Sequence, residues 1–542
     1  MTATVKRPLC LASTVLAFLF AWTGVVLFQG IVFGGVDRLH MAILILVGGW
    51  GGLLYTARRA LLLRWPISTL SLMGYTVFYF LLPPIATMAE WKPLDFNLEY
   101  SVLVASHALM GLAALLVAHW FYRQLKVTRV LRRLVVDRVY APLGFHRAPA
   151  ERQLWLMGFI GVASQLFTAS VFRVYMDDAI GGVVASLLRG MHPLAYVPYA
   201  LLIPVLWSQE KITGLRRHLF YLLLYSGPIL IAGMARNSRT ALMIGAASIL
   251  MAYVYAVMAG LISRPRVTWR NLAVVLIIGY VGTGLLADLS TGFLIARHGR
   301  YETDTVTQIG TTLAVLRDKE RLRSYRGSSV VWQNEWDEYY LENPIFSRVS
   351  NLKLLDQTLS LESRLDNQGR SFYRWAEGQK LLSVFPRPLL ALIPLEVDKE
   401  AATRGSGGDF LLLAATGSST ALGTHRTGSL LTAYYVVFGE AYPIFLALTV
   451  LLLFPLLDAL VKIRENGKSP DCRPFFNVLV IGTLFSYLFL LTSAATGVES
   501  VSGLAGYLIR GWLQIAVVYA LAYWATRWVL SCSKLIRSGV VH

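Results

Sequence analysis

The stretch Ser101–Tyr122 reads SVLVASHALMGLAALLVAHWFY and contains no Asp, Glu, Lys or Arg. An α-helix needs about 20 mostly apolar residues to cross the roughly 30 Å hydrocarbon core of a bilayer. Comparable runs recur through the 542 residues of the chain, which is 56% hydrophobic and only 15% charged. Soluble proteins carry about 25% charged residues. The sequence therefore predicts an all-α polytopic membrane protein and excludes a soluble enzyme.

Twelve segments have the length and composition of a membrane span. They are residues 11–33, 41–57, 66–89, 101–122, 153–172, 193–208, 219–235, 240–262, 271–295, 428–461, 474–494 and 507–530. The first follows Lys6 and Arg7, but its apolar run is too long for a signal peptide, so we interpret it as a retained anchor. The fold prediction is therefore about twelve transmembrane helices.

The basic residues fix the predicted orientation of these spans. If the N-terminus is inside, the predicted inside segments hold 26 Lys and Arg, whereas the short outside loops hold about seven. This asymmetry follows the positive-inside rule and predicts that both termini are cytoplasmic. The net charge of +19 is then an orientation signal in contact with anionic membrane lipids, and it does not predict nucleic-acid binding.

One polar segment, residues 296–427, interrupts the hydrophobic pattern. It holds 17 basic and 16 acidic residues, and the span count places it outside. Its apolar period from Val306 to Leu316, after an N-cap at Asp304 or Thr305, predicts a helix. The predicted domains are residues 1–295 with nine transmembrane helices, 296–427 as a mainly helical periplasmic loop domain, and 428–542 with three more.

The predicted outside location limits the chemistry. ATP and nucleotide sugars are absent outside a bacterial membrane, so a transferase there needs an energised substrate delivered in the bilayer. The sequence contains no GxxxxGK[ST], HExxH, GxSxG or CxxC motif, and its nine His residues show no metal-ligand spacing. We therefore expect any chemistry to need neither a metal nor a cofactor.

Two arginines lie in a short outer loop, Arg236-Asn237-Ser238-Arg239-Thr240. Two guanidiniums at the lipid surface can bind a diphosphate headgroup through bidentate, charge-assisted hydrogen bonds. The alternative is that both are interface anchors that extend towards water. The ligand interpretation is favoured because cations in an outer loop oppose the positive-inside preference.

A second cluster closes the polar segment. His425 and Arg426 follow the small-residue stretch Gly417–Thr424 at the entry to the tenth span. The ordinary His pKa of about 6.5 suits a general base for a sugar hydroxyl, and an adjacent arginine can neutralise a leaving phosphate. Arg404 and Asp409 flank a glycine turn and are candidates to join this site. The alternative is a surface His-Arg pair at a helix entry.

Carboxylates within the hydrophobic segments are further candidates. Glu440 lies well inside the tenth stretch, and an ionisable group at depth is a functional candidate by default. Gly439 and Pro443 offer a second interpretation, a break that places Glu440 at the outer boundary. Asp288 in the ninth span has the same two interpretations.

Aromatic residues alternate with carboxylates in the middle of the polar segment. Trp332, Trp336, Tyr339 and Tyr340 are candidate glycan-binding residues, because aromatic rings pack on the apolar faces of sugars. The same residues could instead form the core of the insertion and its membrane-facing belt.

These features together resemble the bacterial O-antigen polymerases, or oligosaccharide repeat-unit polymerases, and the related O-antigen ligase family. Arg236-Asn237-Ser238-Arg239-Thr240, before a small-residue helix, resembles their "SRT" element. His425-Arg426-Thr427-Gly428, with the later Tyr435–Gly439, resembles the segment where their late periplasmic loop re-enters the membrane. The number of spans and the late polar loop are also similar.

The resemblance implies a GT-C-like fold in the bacterial inner membrane and a metal-independent, inverting glycosyl transfer. Arg236, Arg239, Arg404 and Arg426 would bind the undecaprenyl-diphosphate-linked donor, His425 would deprotonate the acceptor, and Glu440 is the second catalytic candidate. A chain-length regulator and a flippase are implied partners. The alternatives are ligase-type transfer of finished glycan to a lipid or protein acceptor, a polysaccharide transporter, and a scaffold for an export complex.

Overall fold

A computed structural model describes most of the chain. The described residues are 9–171, 181–208, 214–236, 238–263, 282, 284, 286–293, 295–296, 305–327, 336–337, 339–385, 390, 392, 397–399, 402, 404–424, 426–465, 472–492 and 498–539. The structure is 79% helical with almost no sheet. This helical content agrees with the prediction of an all-α protein.

Seven helices in the described part of the chain are long and apolar enough to cross a membrane. They are Ala12–Phe33, Val36–Thr56, Pro66–Ala89, Ser101–Gln124, Leu215–Ala235, Leu430–Ala459 and Val501–Cys532. Each overlaps one of the predicted spans. Their apolar side chains remain exposed to a large extent, with Ile31 80% and Leu223 73% exposed, as expected of surfaces that face lipid. The architecture is that of an all-α membrane protein.

The other five predicted spans have different outcomes. The fifth and eighth correspond to helices Glu151–Val171 and Arg239–Met258. Most of the ninth, at 271–295, lies outside the described residues. The sixth and eleventh are not single α-helices.

Proline explains the sixth segment. Residues His192–Leu202 and Pro204–Leu206 form 3₁₀ helices, and Pro198 lies inside the first of them. Proline has no backbone N–H to donate and its ring clashes with the preceding turn, so repeated prolines prevent a continuous α-helix. The eleventh segment begins as a strand, Cys472–Phe476, and continues as two short helices, Val478–Gly482 and Leu484–Leu488.

The chain forms two compact units, each made of separate stretches of sequence. The first unit comprises Met1–Arg129, Val330–Pro455 and Tyr487–Arg510, and the second comprises Val130–Ser329, Leu456–Ser486 and Gly511–His542. The predicted insertion, 296–427, is therefore divided at Val330. The predicted domain boundaries at 295 and 427 do not coincide with those of the units.

The first unit contains the early spans and most of the polar segment. Its helices are Leu9–Phe33, Val36–Thr56, Arg59–Arg64, Pro66–Thr76, Leu82–Ala89, Ser101–Gln124, Pro344–Arg348, Leu352–Ser363, Asn367–Ser383, Gly407–Thr416, Leu430–Phe438 and Val501–Gly506. A π-helical turn, Val77–Leu81, joins Pro66–Thr76 to Leu82–Ala89. Helices Lys126–Leu134 and Tyr442–Ala459 run across the unit boundaries.

The polar segment has its own apolar core in the first unit. Trp336, Leu361, Tyr373, Phe410 and Val436 are among its buried residues. The apolar patch that begins at Phe410 belongs to helix Gly407–Thr416, whose buried residues pack into this core. The fold of the polar segment thus depends on packing between its own helices and the start of the tenth span.

The second unit combines helices with one hairpin. Its further helices are Glu151–Val171, Gly181–Met191, Leu215–Ala235, Arg239–Met258, Thr305–Arg317, Lys319–Gly327 and Trp512–Gly539. Thr305–Arg317 confirms the helix predicted from the apolar period after Asp304. The strands Val461–Glu465 and Cys472–Phe476 pair antiparallel, with Val461 opposite Phe476. Val162, Tyr196, Leu222, Tyr225 and Ile229 are among its core residues.

Candidate functional site

The two predicted arginine clusters belong to different units. Arg236 lies in the second unit, at the end of helix Leu215–Ala235, and Arg239 is the first residue of the next helix. Arg404, Arg426 and Glu440 lie in the first unit.

Arg236 belongs to a short turn built from local hydrogen bonds. The Ser238 backbone N–H donates to Gly233 O at 3.0 Å, and the Ser238 hydroxyl accepts the Ala241 N–H at 3.4 Å as the N-cap. These bonds satisfy donors that a helix start leaves unpaired. The turn therefore places Arg236 between the ends of two long helices.

Arg189 is a second cation in this region, because Arg189 and Arg236 both act on the pKa of His192. Burial and the nearby guanidiniums of Arg236 and Arg189 together lower the pKa of His192 to about 3. Its Nε2 lies 2.9 Å from Thr168 Oγ1. His192 is thus neutral at physiological pH, and the positive charge of this end of the unit belongs to Arg189 and Arg236. Nothing in the sequence pattern links Arg189 to Arg236, which lies 47 positions later.

The second cluster is organised by Asp409. Its Oδ1 accepts the Thr424 hydroxyl at 2.7 Å and the Arg426 N–H at 2.9 Å, and its Oδ2 accepts the Ser406 N–H at 3.1 Å. The Ser406 hydroxyl accepts the Asp409 N–H, which completes a capping box at the start of helix Gly407–Thr416. Asp409 is fully buried. The structure thus brings Asp409 and Arg426, two residues singled out from the sequence, into contact.

Glu499 joins the same cluster from a distant part of the chain. Its Oε1 accepts the Gly407 N–H at 2.8 Å, and its Oε2 accepts the Gly428 N–H at 2.9 Å. A Cβ on Gly408 would lie 2.5 Å from the Arg426 carbonyl oxygen. Only glycine permits this approach of the two backbones. Sequence analysis missed Glu499, because nothing in the sequence around it indicates a partner about 90 residues earlier.

The backbones of Gly407–Gly408 and Arg426–Gly428 meet closely, and we call this contact the junction. Three carboxylates near the junction, those of Glu377, Asp409 and Glu499, lie around Lys380. Glu377 Oε2 accepts the Ser502 N–H at 2.8 Å. Burial raises the pKa of Glu499, and the pKa is lowered in turn by its two backbone donors and by Lys380. Burial lowers the pKa of Lys380, while Glu377, Glu499 and Asp409 raise it. Lys380 is thus a counter-charge shared by three acidic groups.

The Arg426 side chain contacts an aromatic ring and a hydroxyl group beside the junction. Its guanidinium carbon lies 5.8 Å from the centre of the Trp336 ring, and its Nη1 donates to Thr424 Oγ1 at 3.1 Å. Cation–π contact and hydrogen bonding both hold this side chain in one orientation. Arg404 is exposed, two residues before Ser406. His425 lies outside the described residues, but its neighbours on both sides are described.

A cleft with a mostly polar lining lies next to Arg426. Its lining residues include Trp336, Arg348, Ser350, Lys353 and Thr427. The Ser350 hydroxyl is buried and has no hydrogen-bond partner among the described residues. Lys353 is itself paired, with Asp337 Oδ2 at 3.3 Å and Asp356 Oδ2 at 3.2 Å. The cleft therefore offers a cation, hydroxyl groups and an aromatic edge, which is a set of groups suited to a sugar.

The four aromatic candidates have different positions. Trp332 lies outside the described residues, whereas Trp336 lines the cleft. Tyr340 is fully buried and donates to Leu94 O at 2.7 Å. Tyr339 Oη lies 3.5 Å from Lys92 Nζ. Trp336 is buried in the core of the polar segment and also lines the cleft, so the core interpretation holds for Trp336 and Tyr340.

Glu440 lies at a break between two helices. Helix Leu430–Phe438 ends at Gly439, whose φ is +60°, and the next helix begins at Tyr442. Glu440 is exposed and accepts the Tyr435 hydroxyl at 3.1 Å. The break predicted from Gly439 and Pro443 is confirmed. Asp288, the other carboxylate considered, pairs with Lys319 at 2.6 Å.

Among the described residues, no group of three or more His, Cys, Asp or Glu side chains is placed to hold a metal ion. The fold and the apolar helices define the class of the chain as an all-α membrane protein. Comparison with protein-family models, with curated proteins and with solved structures gives no match.

Proposed function

We propose that the chain is a glycosyltransferase that polymerises undecaprenyl-diphosphate-linked oligosaccharide units into a surface polysaccharide. It acts at the outer face of a bacterial inner membrane, with about twelve spans, both termini cytoplasmic, and a GT-C-like fold with a periplasmic insertion. The proposal rests on the sequence features described above and on the geometry around Arg426.

The contact between Arg426 and Trp336 beside the polar cleft carries the proposal. A diphosphate that leaves as an anion is stabilised mainly by cations held in place before the reaction. Arg426 is held by a backbone bond to Asp409 and a side-chain bond to Thr424. The adjacent cleft, with Trp336 and the unpartnered Ser350 hydroxyl, has the polarity of a sugar subsite.

The second unit has a cationic group of its own. Arg236 and Arg189 both lie near His192 at the ends of their helices, and Arg239 begins the next helix. Guanidiniums suit bidentate binding of a diphosphate. The resemblance proposes four donor-binding residues, Arg236 and Arg239 in this unit and Arg404 and Arg426 in the first unit.

The proposed reaction is a single displacement. His425 accepts the proton of an acceptor hydroxyl, and the hydroxyl oxygen attacks the anomeric carbon of the donor sugar. The bond from that carbon to the diphosphate oxygen breaks, and undecaprenyl diphosphate leaves as an anion beside the arginines. Because attack is from the opposite face, the configuration inverts. Glu440 is the second catalytic candidate, and neither a metal nor a cofactor enters the scheme.

Complementation of a deletion strain tests this proposal. Wild type, Arg426→Ala, Arg236→Ala and His425→Ala are compared at equal membrane levels by polymer length on a gel. The matched control is Arg323→Ala, an exposed arginine of helix Lys319–Gly327. We expect each of the three site variants to lose roughly ten-fold or more polymer and to accumulate single lipid-linked units.

Two other outcomes would change the conclusion. If long polymer forms but stays on its lipid carrier, the chain is a ligase of the same chemistry, and transfer to a final acceptor is the step that fails. Normal polymer in all site variants would overturn the assignment of these residues and favour a scaffold in an export complex.

A further inference from the structure

The segment Thr424–Gly428 is held from both sides by carboxylates that come from other parts of the chain. Asp409 binds the two positions that flank residue 425, through the Thr424 hydroxyl and the Arg426 N–H. Glu499 binds the N–H of Gly428. We propose that Asp409 and Glu499 are positioning residues that hold this segment, and with it Arg426, in the geometry that transfer requires. The inference rests on the proposed function of Arg426.

Glu499 is the more informative of the two, because its carboxylate joins two loops. One oxygen accepts from Gly407 at the start of helix Gly407–Thr416, and the other accepts from Gly428. Both bonds end on oxygens of the Glu499 carboxyl group. A carboxylate offers two acceptor oxygens, whereas a Gln amide offers one acceptor and one donor. The isosteric change Glu499→Gln therefore removes one of the two bonds and turns an N–H donor towards another donor.

The glycines show that the contact between the loops is tight. A Cβ on Gly428 would lie 3.0 Å from Gly408 N and 3.3 Å from Glu499 O. The three segments therefore pack backbone against backbone, with the carboxylate bridging them. Asp409 holds Thr424 and Arg426, so the loss of the Glu499 bond to the Gly428 N–H loosens the Gly428 end of the segment in particular.

Glu499 is itself fixed by its surroundings. The next residues, Ser500 and Ser502, begin helix Val501–Gly506, and the Ser502 N–H is bound by Glu377. Lys380 lies near Glu499, Asp409 and Glu377 and offsets part of their charge. Because the backbone that follows Glu499 is held by these contacts, the Glu499 carboxyl group can hold the loops that it binds. The cluster thus links the residues just before the last long helix to the segment that carries His425 and Arg426.

A local labelling experiment tests the inference without relying on polymer. The three cysteines, Cys10, Cys472 and Cys532, are changed to Ser, and Thr427→Cys is introduced as a reporter beside Gly428. A second reporter, Ser371→Cys, lies on the exposed face of helix Asn367–Ser383. The rate of maleimide labelling in membranes is measured for each reporter with and without Glu499→Gln.

The matched control is Glu377→Gln, since Glu377 accepts a single described backbone N–H and Gln keeps one acceptor. We expect Glu499→Gln to raise labelling at residue 427 about ten-fold and to leave residue 371 unchanged. Glu377→Gln should change neither reporter by more than about two-fold. Equal labelling at residue 427 in wild type and Glu499→Gln would overturn the inference, and so would a parallel rise at both reporters, which means general unfolding.

Polymer synthesis separates this inference from the proposed function. In the native-cysteine chain, we expect Glu499→Gln to lower polymer roughly ten-fold at equal protein level, because a displaced Arg426 loses its alignment with the leaving diphosphate. We do not expect Glu499→Asp to support normal polymer synthesis, because the shorter side chain cannot reach both loops. If labelling rises at residue 427 while polymer stays normal, the positioning role in transfer is wrong. If Arg426→Ala and His425→Ala also leave polymer normal, the proposed function fails with it.

Discussion

Two segments of this protein present arginine beside an N-cap serine, and they are built in different ways. In the second unit, Ser238 follows Arg236 and caps helix Arg239–Met258 by accepting the Ala241 N–H. In the first unit, Ser406 follows Arg404 and caps helix Gly407–Thr416, and its hydroxyl also donates to the Arg426 carbonyl. The turn at Ser238 uses neighbours in sequence, whereas the turn at Ser406 uses residues from distant parts of the chain.

The difference teaches which segment tolerates change. The two hydrogen bonds of Ser238 join it to residues no more than five positions away. The junction at Ser406 depends on Arg426 and on Glu499, which binds Gly407 across 92 positions. A local turn re-forms after a substitution, but a non-local junction loses several contacts at once. Substitutions at the junction should therefore have the larger effects.

The largest effect is expected for Gly408→Ala. The new Cβ would lie 2.5 Å from the Arg426 oxygen, so one of the two backbones must move. Overpacking of this kind costs roughly 1–3 kcal/mol, and the displaced segment carries the proposed base. We expect polymer to fall roughly ten-fold or more and the thermal midpoint of the purified protein to drop by several degrees.

Gly378→Ala is the control for this substitution. Gly378 lies inside helix Asn367–Ser383, and a Cβ there would meet nothing within 4 Å. Alanine in a helix interior is favoured over glycine by roughly 0.5–1 kcal/mol, so stability should rise slightly and polymer should not change. Equal behaviour of the two variants would mean that the close approach at Gly408 is unimportant.

A paired test of the two serines is expected to give an intermediate effect. Loss of an N-cap costs about 1 kcal/mol on average. Ser238→Ala removes one long cap bond of 3.4 Å, whereas Ser406→Ala removes a cap bond of 3.1 Å and the donor to Arg426 O. We expect Ser406→Ala to lower the free energy of unfolding about twice as much as Ser238→Ala, measured by denaturant titration in one detergent. A larger loss at Ser238 would contradict the contrast between the two segments.

The membrane class was predicted correctly from the sequence. Seven of the twelve predicted spans correspond to helices long enough to cross a membrane, because long apolar runs have few alternatives to a helix. The sequence also predicted helix Thr305–Arg317 and the break at Gly439, since apolar period, capping residues and glycine act locally. It did not predict the 3₁₀ segment at His192–Leu202, where three-residue turns built around Pro198 replaced an apolar α-helix.

The candidate site was predictable only in part, and for the same reason. Arg426 and Asp409 are close in sequence and were singled out together with the glycine turn. Glu499 and the Arg348–Ser350 side of the cleft come from elsewhere in the chain, and their roles depend on contacts that no local pattern encodes. The placement of His425 stays a prediction, as do the roles of Arg239 and Glu440.

The smallest expected effect is a pH dependence that belongs to Glu499 alone. Burial raises the pKa of Glu499 above its ordinary value of 4.5, so the folded protein holds this proton more tightly than the unfolded chain does. The stability that Glu499 contributes is therefore greatest at low pH and is lost as the pH rises through its raised pKa. Gln at this position does not titrate, while Lys380 and Asp409 face residue 499 in both proteins. We expect the thermal midpoint of wild type, relative to Glu499→Gln, to fall by a few degrees between about pH 4.5 and 8. A relative midpoint that rises over this range would mean that the two backbone donors outweigh burial at Glu499, and that the carboxylate is ionised throughout.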